Sequence, residues 1–65
     1  MRSEAETMLA ELPPELRMVF VLHDVEGYTF AEIAGMTGLG ISSLHGRLMS
    51  ARKKLDRMVA GGDHA

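Results

Sequence analysis

The chain has no cysteine among its 65 residues. It therefore cannot form a disulfide framework or a thiolate metal site, and this composition fits a reducing compartment. Long hydrophobic runs are also missing. The longest, Met18 to Leu22, is far shorter than the roughly 20 residues needed to span a bilayer, and no basic-then-apolar leader opens the chain. These absences predict a soluble, cytoplasmic domain that does not associate with a membrane.

Residues for catalysis are equally scarce. His23, His45 and His64 are scattered, and no His-Cys-Asp cluster or nucleophile-base arrangement is present. The Gly-Leu-Gly at 38–40 follows a predicted helix, whereas a phosphate-binding loop follows a strand. We therefore expect no enzymatic activity, no metal site, no cofactor and no small-molecule substrate.

A chain of 65 residues forms one domain at most. Such a chain buries only about 60% of the surface that its unfolded state exposes, so its stability is expected to be marginal. We expect a partner or a neighbouring domain to contribute to its stability.

The net charge of −2 conceals a division along the chain. Residues 1–39 carry two basic and seven acidic side chains, whereas residues 40–60 carry five basic and one acidic. This asymmetry predicts a basic face for an anionic partner and an acidic face for another surface. The alternative is that both clusters are merely solvated helix surfaces.

Two helices are predicted in the first half. Ser3 can cap the first, whose apolar stripe is Ala5, Met8, Leu9 and Leu12; the spacing matches a 3.6-residue period. The prolines at 13–14 end it, and Pro14 suits the first turn of a second helix that runs to about Val25, with Gly27 as its stop.

This second helix is apolar nearly all round. One stripe is Leu16, Val19, Phe20 and His23, and the other is Met18, Val21, Leu22 and Val25. We interpret His23 as a core histidine. The other stripe is a candidate partner-binding surface, although for Met18 burial inside the domain is an equally good interpretation.

The second half predicts a helix-turn-helix. Thr29 and Glu32 form a capping box that starts a third helix, which ends near Thr37. Glycines at 38 and 40 make a turn from which Leu39 can point into the core. A fourth helix runs from Ile41 to about Val59, with Leu44, Leu48, Ala51 and Leu55 as its buried stripe.

Gly61 and Gly62 are predicted to end this helix. The expected fold is all-α: four helices over residues 1–60 with a helix-turn-helix and no winged elements, followed by a flexible tail at 61–65.

The second helix of such a unit enters the DNA major groove. Candidate DNA-binding residues on its exposed side are Ser42, Ser43, His45, Gly46, Arg47, Met49, Ser50, Lys53 and Arg57. The cations Arg47, Arg52, Lys53, Lys54 and Arg57 are candidates for phosphate contact, while Arg47 and Arg52 can instead lay their stems on the core.

From Leu12 to Leu55 the chain resembles region 4 of bacterial sigma factors of the extracytoplasmic-function group. The resemblance rests on Leu-Pro-Pro-Glu-Leu-Arg-Met-Val-Phe-Val-Leu, Asp-Val-Glu-Gly, Ala-Glu-Ile-Ala and Arg-Leu-Met-Ser-Ala-Arg-Lys-Lys-Leu. It implies a domain of an RNA polymerase specificity subunit that recognises the minus-35 element of promoter DNA through the fourth helix and touches the polymerase β flap. It also implies that a full sigma factor needs a further domain for the minus-10 element.

The chain departs from the family pattern on the groove-facing side, where His45, Gly46, Met49 and Ser50 stand at positions that usually carry more Lys or Arg. Arg and Lys are the usual readers of guanine, so DNA recognition should be weak or unusual. Met49 can contact a thymine methyl group, and the serines and His45 can make single hydrogen bonds.

Two other functions remain open. One is a sigma-like protein-interaction module bound by an anti-sigma factor or another regulator. The other is the output domain of a response-regulator-type transcription factor, which the Ala51–Leu55 ending fits less well.

Overall fold

The computed structural model describes residues 2–62 and contains four α-helices within them. These are α1 (Glu4–Glu11), α2 (Pro14–Phe20), α3 (Phe30–Thr37) and α4 (Ile41–Gly62), and a π-helical turn (Val21–Val25) directly continues α2. The part of the chain that is described has no strand. The predicted all-α fold with a helix-turn-helix is confirmed.

Capping boxes begin α1 and α3. The Thr29 hydroxyl accepts from the Glu32 backbone N–H at 3.1 Å, and the Glu32 carboxylate accepts from the Thr29 N–H at 2.9 Å. This second bond stabilises the ionised acid and lowers the pKa of Glu32. Ser3 and Glu6 form the same reciprocal pair at α1. The predicted caps at Ser3 and Thr29 are therefore confirmed, because a local sequence pattern is enough to specify them.

The core consists of two adjoining clusters that share α4. The larger cluster contains Val19, Ile33, Leu44 and Leu48, and Leu39 packs against it from the turn between α3 and α4. The smaller cluster contains Leu12, Leu16 and Ala51. Leu44, Leu48 and Ala51 are buried as predicted, and Leu55 is half-buried. Since α4 contributes to both clusters, its orientation is set by α2 and α3 together.

The second helix departs from its predicted form. It was expected to be one regular α-helix to Val25, but the α-helical bonds end at Phe20 and a π turn follows. The Glu26 N–H reaches back to the Val21 carbonyl at 2.9 Å, and the Tyr28 N–H reaches the Leu22 carbonyl at 2.9 Å. Gly27 closes the turn with φ +84°. Side-chain periodicity cannot detect this widening of the helix, and Asp24 lies within it.

The fourth helix is longer than predicted. It continues to Gly62, past the expected end at Val59. Glycine weakens a helix without forbidding it, and α4 includes both Gly61 and Gly62. The predicted tail begins inside this helix at 61–62, and its last three residues, like Met1, lie outside the described residues. Within residues 2–62, no helix combines the length and the hydrophobicity needed to cross a bilayer.

Candidate nucleic-acid interface

The turn between α3 and α4 presents one side of α4 to solvent. Gly38 adopts φ +77°, a conformation that is cheap for glycine. The Thr37 hydroxyl donates to the Ile33 carbonyl at 2.8 Å and accepts from the Leu39 N–H at 3.2 Å. These bonds direct the chain from α3 into α4. Because Ile33 is a core residue, they also tie the turn to the core.

The predicted DNA-binding residues lie mainly on the exposed side of α4. Exposed are Ser42, Ser43, His45, Gly46, Met49, Ser50, Lys53 and Arg57, whereas Arg47 is half-buried. The line Ser42, Gly46, Met49 and Lys53 follows the helical repeat and lies opposite the buried stripe; we call it the central stripe. Its first three residues are uncharged, and the cations Lys53 and Arg57 come later along α4. The N-terminal part of the central stripe is therefore uncharged, and its C-terminal part is cationic.

Arg52 has a different partner from the one expected of a phosphate-contact residue. Its Nε lies 2.8 Å from Asp24 Oδ2 and its Nη2 lies 2.7 Å from Asp24 Oδ1, a bidentate pair between residues 28 apart in sequence. Bidentate Arg-carboxylate pairs are the strong class of ion pair. Arg52 therefore fastens α4 to the π turn, and its interpretation as a phosphate contact stays a prediction.

The Asp24 carboxylate is held in its ionised form. The hydrogen bonds from Arg52, with a further one from His23, lower the pKa of Asp24 from 3.8 to about 2. Its folded-state pKa lies below its unfolded value, so the charged pair stabilises the fold above about pH 4 and loses that contribution as the pH falls towards 2.

We therefore predict that Asp24→Asn lowers the free energy of unfolding at pH 7. The Arg52 side chain is 45% exposed, so solvent screening reduces the expected loss to about 1 kcal/mol. The melting temperatures of the two proteins should differ most near pH 7 and converge only as the pH falls below about 2, through the folded-state pKa of Asp24. Glu26→Gln, which removes an equal charge nearby, should melt like wild type. Parallel curves for Asp24→Asn and wild type at all pH values would contradict the prediction.

Two contacts between aromatic rings link the π turn to the N-terminal part of α4. His23 stacks on Phe30 with centroids 4.4 Å apart and planes at 22°, and Phe30 meets His45 edge-on at 5.7 Å and 62°. His23 Nδ1 also lies 2.9 Å from Asp24 Oδ1. His23 is thus half-buried at the edge of the core, and Phe30 steadies the His45 ring on the exposed side. Sequence reasoning missed both contacts, because they join three separate elements.

The predicted partner-binding stripe is divided in the folded domain. Met18 and Leu22 pack against the larger core cluster, and Val21 is half-buried. Val25 is 63% exposed and lines an open groove of about 260 Å³. The groove is lined almost wholly by apolar atoms of Ala5, Met8, Leu9, Phe20, Val25 and Leu55. We call it the apolar groove. Leu55 continues the buried stripe, so this groove lies away from the central stripe.

Comparison with known proteins shows which family the chain is similar to. The model of the family described as Sigma-70, region 4 matches residues 2–55, so the match includes α1, which lies outside the resemblance that begins at Leu12. The chain is also 32% identical over 58 residues to the ECF RNA polymerase sigma factor SigE of Mycolicibacterium smegmatis. That alignment covers 89% of this chain and 23% of the relative. The chain therefore spans about a quarter of the length of this relative.

Proposed function

The chain belongs to the sigma-70 region 4 family, as found in sigma factors of the extracytoplasmic-function group, and from this premise we propose that it binds the minus-35 promoter element through α4 and contacts the β flap of RNA polymerase. Such a domain acts on promoter DNA in the cytoplasm and carries out no catalysis.

The exposed side of α4 is the observation that carries the DNA-binding proposal. Helix-turn-helix proteins insert the N-terminal part of the second helix into the major groove. In this chain that part bears Ser42, His45 and Gly46, all exposed. Lys53 and Arg57 follow along the same helix, where they can neutralise phosphates and release counterions. Base reading and phosphate contact are thus assigned to successive parts of one helix.

Fluorescence anisotropy tests this proposal. The purified domain is titrated into a labelled minus-35-like duplex and into a randomised duplex pool over a range of salt concentrations. We expect tighter binding to the promoter duplex and a steep fall of affinity with salt, because phosphate contacts release counterions. Equal affinity for the duplex and the pool would exclude sequence recognition, and no binding at low salt would exclude a DNA-binding function for the isolated domain.

The apolar groove is our candidate site for the β flap. It is made by α1, the second helix with its π turn, and α4. Because the groove lies away from the central stripe, DNA and the flap can be bound at the same time, as promoter recognition within a polymerase requires. Family membership is what identifies the flap as the occupant, and the apolar lining supports a hydrophobic contact.

We predict that Val25→Asp abolishes binding to a polymerase β-flap fragment and leaves the fold intact. A charge in the apolar groove opposes burial by a partner, whereas an exposed side chain contributes little to stability. Met18→Asp is less informative, since Met18 packs against the core. Val59→Asp, a change at another exposed valine, serves as the control. Flap binding that survives Val25→Asp, measured by pull-down and circular dichroism together, would place the contact elsewhere.

A second candidate is a sigma-like module whose main ligand is an anti-sigma factor or another regulator. The absence of charge from the N-terminal part of the central stripe favours this function, because the side chains that most often read guanine are Arg and Lys. In that case the domain should bind the regulator but no duplex, whereas the first proposal requires binding to DNA.

A further inference from the structure

Gly46 lies in the middle of the central stripe, inside a helix of 22 residues. Glycine destabilises a helix interior relative to alanine, because it loses more backbone freedom on folding. Such a glycine is often explained by a positive φ or by a close neighbour. Within the described chain, only Gly27 and Gly38 have positive φ, and a Cβ built on Gly46 would meet nothing within 4 Å. The fold of the domain therefore does not require glycine at this position.

Gly46 leaves open space between the side chains around it on the exposed side of α4, and we call this space the notch. The missing side chain bares the backbone of α4 at the centre of the exposed side. Met49, which is 41% exposed, borders this bare patch one turn further along, and the exposed serines at 42, 43 and 50 border it as well. No cation stands on the central stripe until Lys53. A group that approaches the notch meets the Cα of Gly46, the flexible thioether of Met49 and the small hydroxyls of the serines.

We propose that Gly46 and Met49 form a receptor for the C5-methyl group of thymine, so that the domain reads an A·T pair at the centre of its DNA site. This inference rests on the proposed binding of α4 in the major groove. The thymine methyl is the apolar group that a base pair presents there, and apolar side chains contact it. Without a side chain at position 46, the backbone of α4 comes closer to the base edges than a larger residue would allow.

Deoxyuridine tests the methyl contact directly, since it pairs as thymine does and lacks only the methyl group. The probe is the tightest-binding duplex selected from a randomised pool, resynthesised with each thymine replaced in turn. We expect one replacement to weaken binding about fourfold, the equivalent of about 0.8 kcal/mol for one lost carbon group. Met49→Ala should bind the thymine and deoxyuridine duplexes almost equally, whereas Met36→Ala, at an exposed methionine of α3, should keep the fourfold difference.

Gly46→Ala tests the close approach, because stability and affinity should change in opposite directions. We expect a higher melting temperature, since alanine is the better helix former. Affinity for the selected duplex should fall about fivefold or more, because the added methyl group occupies the notch. The control is Gly35→Ala, at another exposed helical glycine whose built Cβ meets nothing within 4 Å. It should raise the melting temperature and leave DNA affinity unchanged.

The outcomes separate this inference from the function on which it rests. If the wild-type protein binds no duplex, the proposed DNA-binding function is overturned, and the thymine-methyl contact that rests on it is overturned as well. Sequence-selective binding that no deoxyuridine replacement weakens would overturn the thymine-methyl contact and leave the proposed DNA-binding function in place. Full affinity in Gly46→Ala likewise shows that no close approach occurs at position 46.

Discussion

Charge reversal of Lys53 and Arg57 together is expected to lower affinity for duplex DNA about tenfold or more at low salt, for all sequences alike. Both side chains are exposed on α4, and we propose that each contacts a phosphate. A protein that neutralises Z phosphates shows a slope of roughly −0.9Z in log affinity against log salt. The variant Lys53→Glu/Arg57→Glu should therefore flatten that slope by about 2. Anisotropy titrations at several salt concentrations measure both quantities.

The control for this prediction must separate contact from net charge. Arg57→Glu and Arg2→Glu change the charge of the domain equally, but Arg2 precedes α1, outside the proposed interface. Arg57→Glu should weaken binding and reduce the salt slope, whereas Arg2→Glu should do neither to a comparable degree. Circular dichroism should show unchanged helical content for all three variants, because the substituted side chains are exposed. Wild-type affinity in the double variant would remove this part of α4 from the DNA interface.

Truncation of Leu48 to alanine should produce the largest loss of stability. Leu48 is buried in the larger core cluster, against Val19, Ile33 and Leu44. Leu→Ala at such a site costs roughly 2–5 kcal/mol, through lost burial and the cavity left behind. A small domain has little stability to lose, so much of the Leu48→Ala protein should be unfolded at 37 °C. Thermal and urea unfolding, followed by circular dichroism, measure the change.

Met36→Ala provides the comparison for Leu48→Ala. Met36 is an exposed residue of α3, so its truncation should alter the free energy of unfolding by no more than about 0.5 kcal/mol. If Leu48→Ala instead unfolded at the wild-type temperature, the contacts of the larger cluster could not be what joins α4 to α2 and α3. In that case, any loss of DNA binding by Leu48→Ala could not be attributed to unfolding.

Features that depend on neighbours in sequence were accessible from the sequence. The capping box at Thr29 and Glu32 uses residues three apart, and the buried line through Leu44, Leu48 and Ala51 follows the helical repeat. The family resemblance from Leu12 to Leu55 depends on short motifs in order, and the family match confirms the assignment over residues 2–55. The assignment of individual DNA-binding residues stays a prediction.

Features that join distant elements could not be predicted in this way. Periodicity predicts only that Arg52 lies on a flank of α4. In the folded chain Arg52 binds Asp24, which is 28 residues away in sequence. Asp24 lies in the π turn that follows Phe20, and periodicity does not reveal that turn either. Periodicity also predicts that the second apolar stripe, from Met18 to Val25, is one surface. In the folded domain this stripe is divided between the core and the apolar groove.

Local patterns and the order of motifs specify the order of the four helices, the caps at Ser3 and Thr29, the buried side of α4 and the family. Each of these depends on residues within a few turns of one another or on short motifs in order. Three contacts are visible only in the folded chain: Arg52 binds Asp24, His45 contacts Phe30, and α1 completes the apolar groove. The physical reason is that these contacts depend on how the helices cross, and the crossing is set by close packing of the whole core rather than by any local pattern.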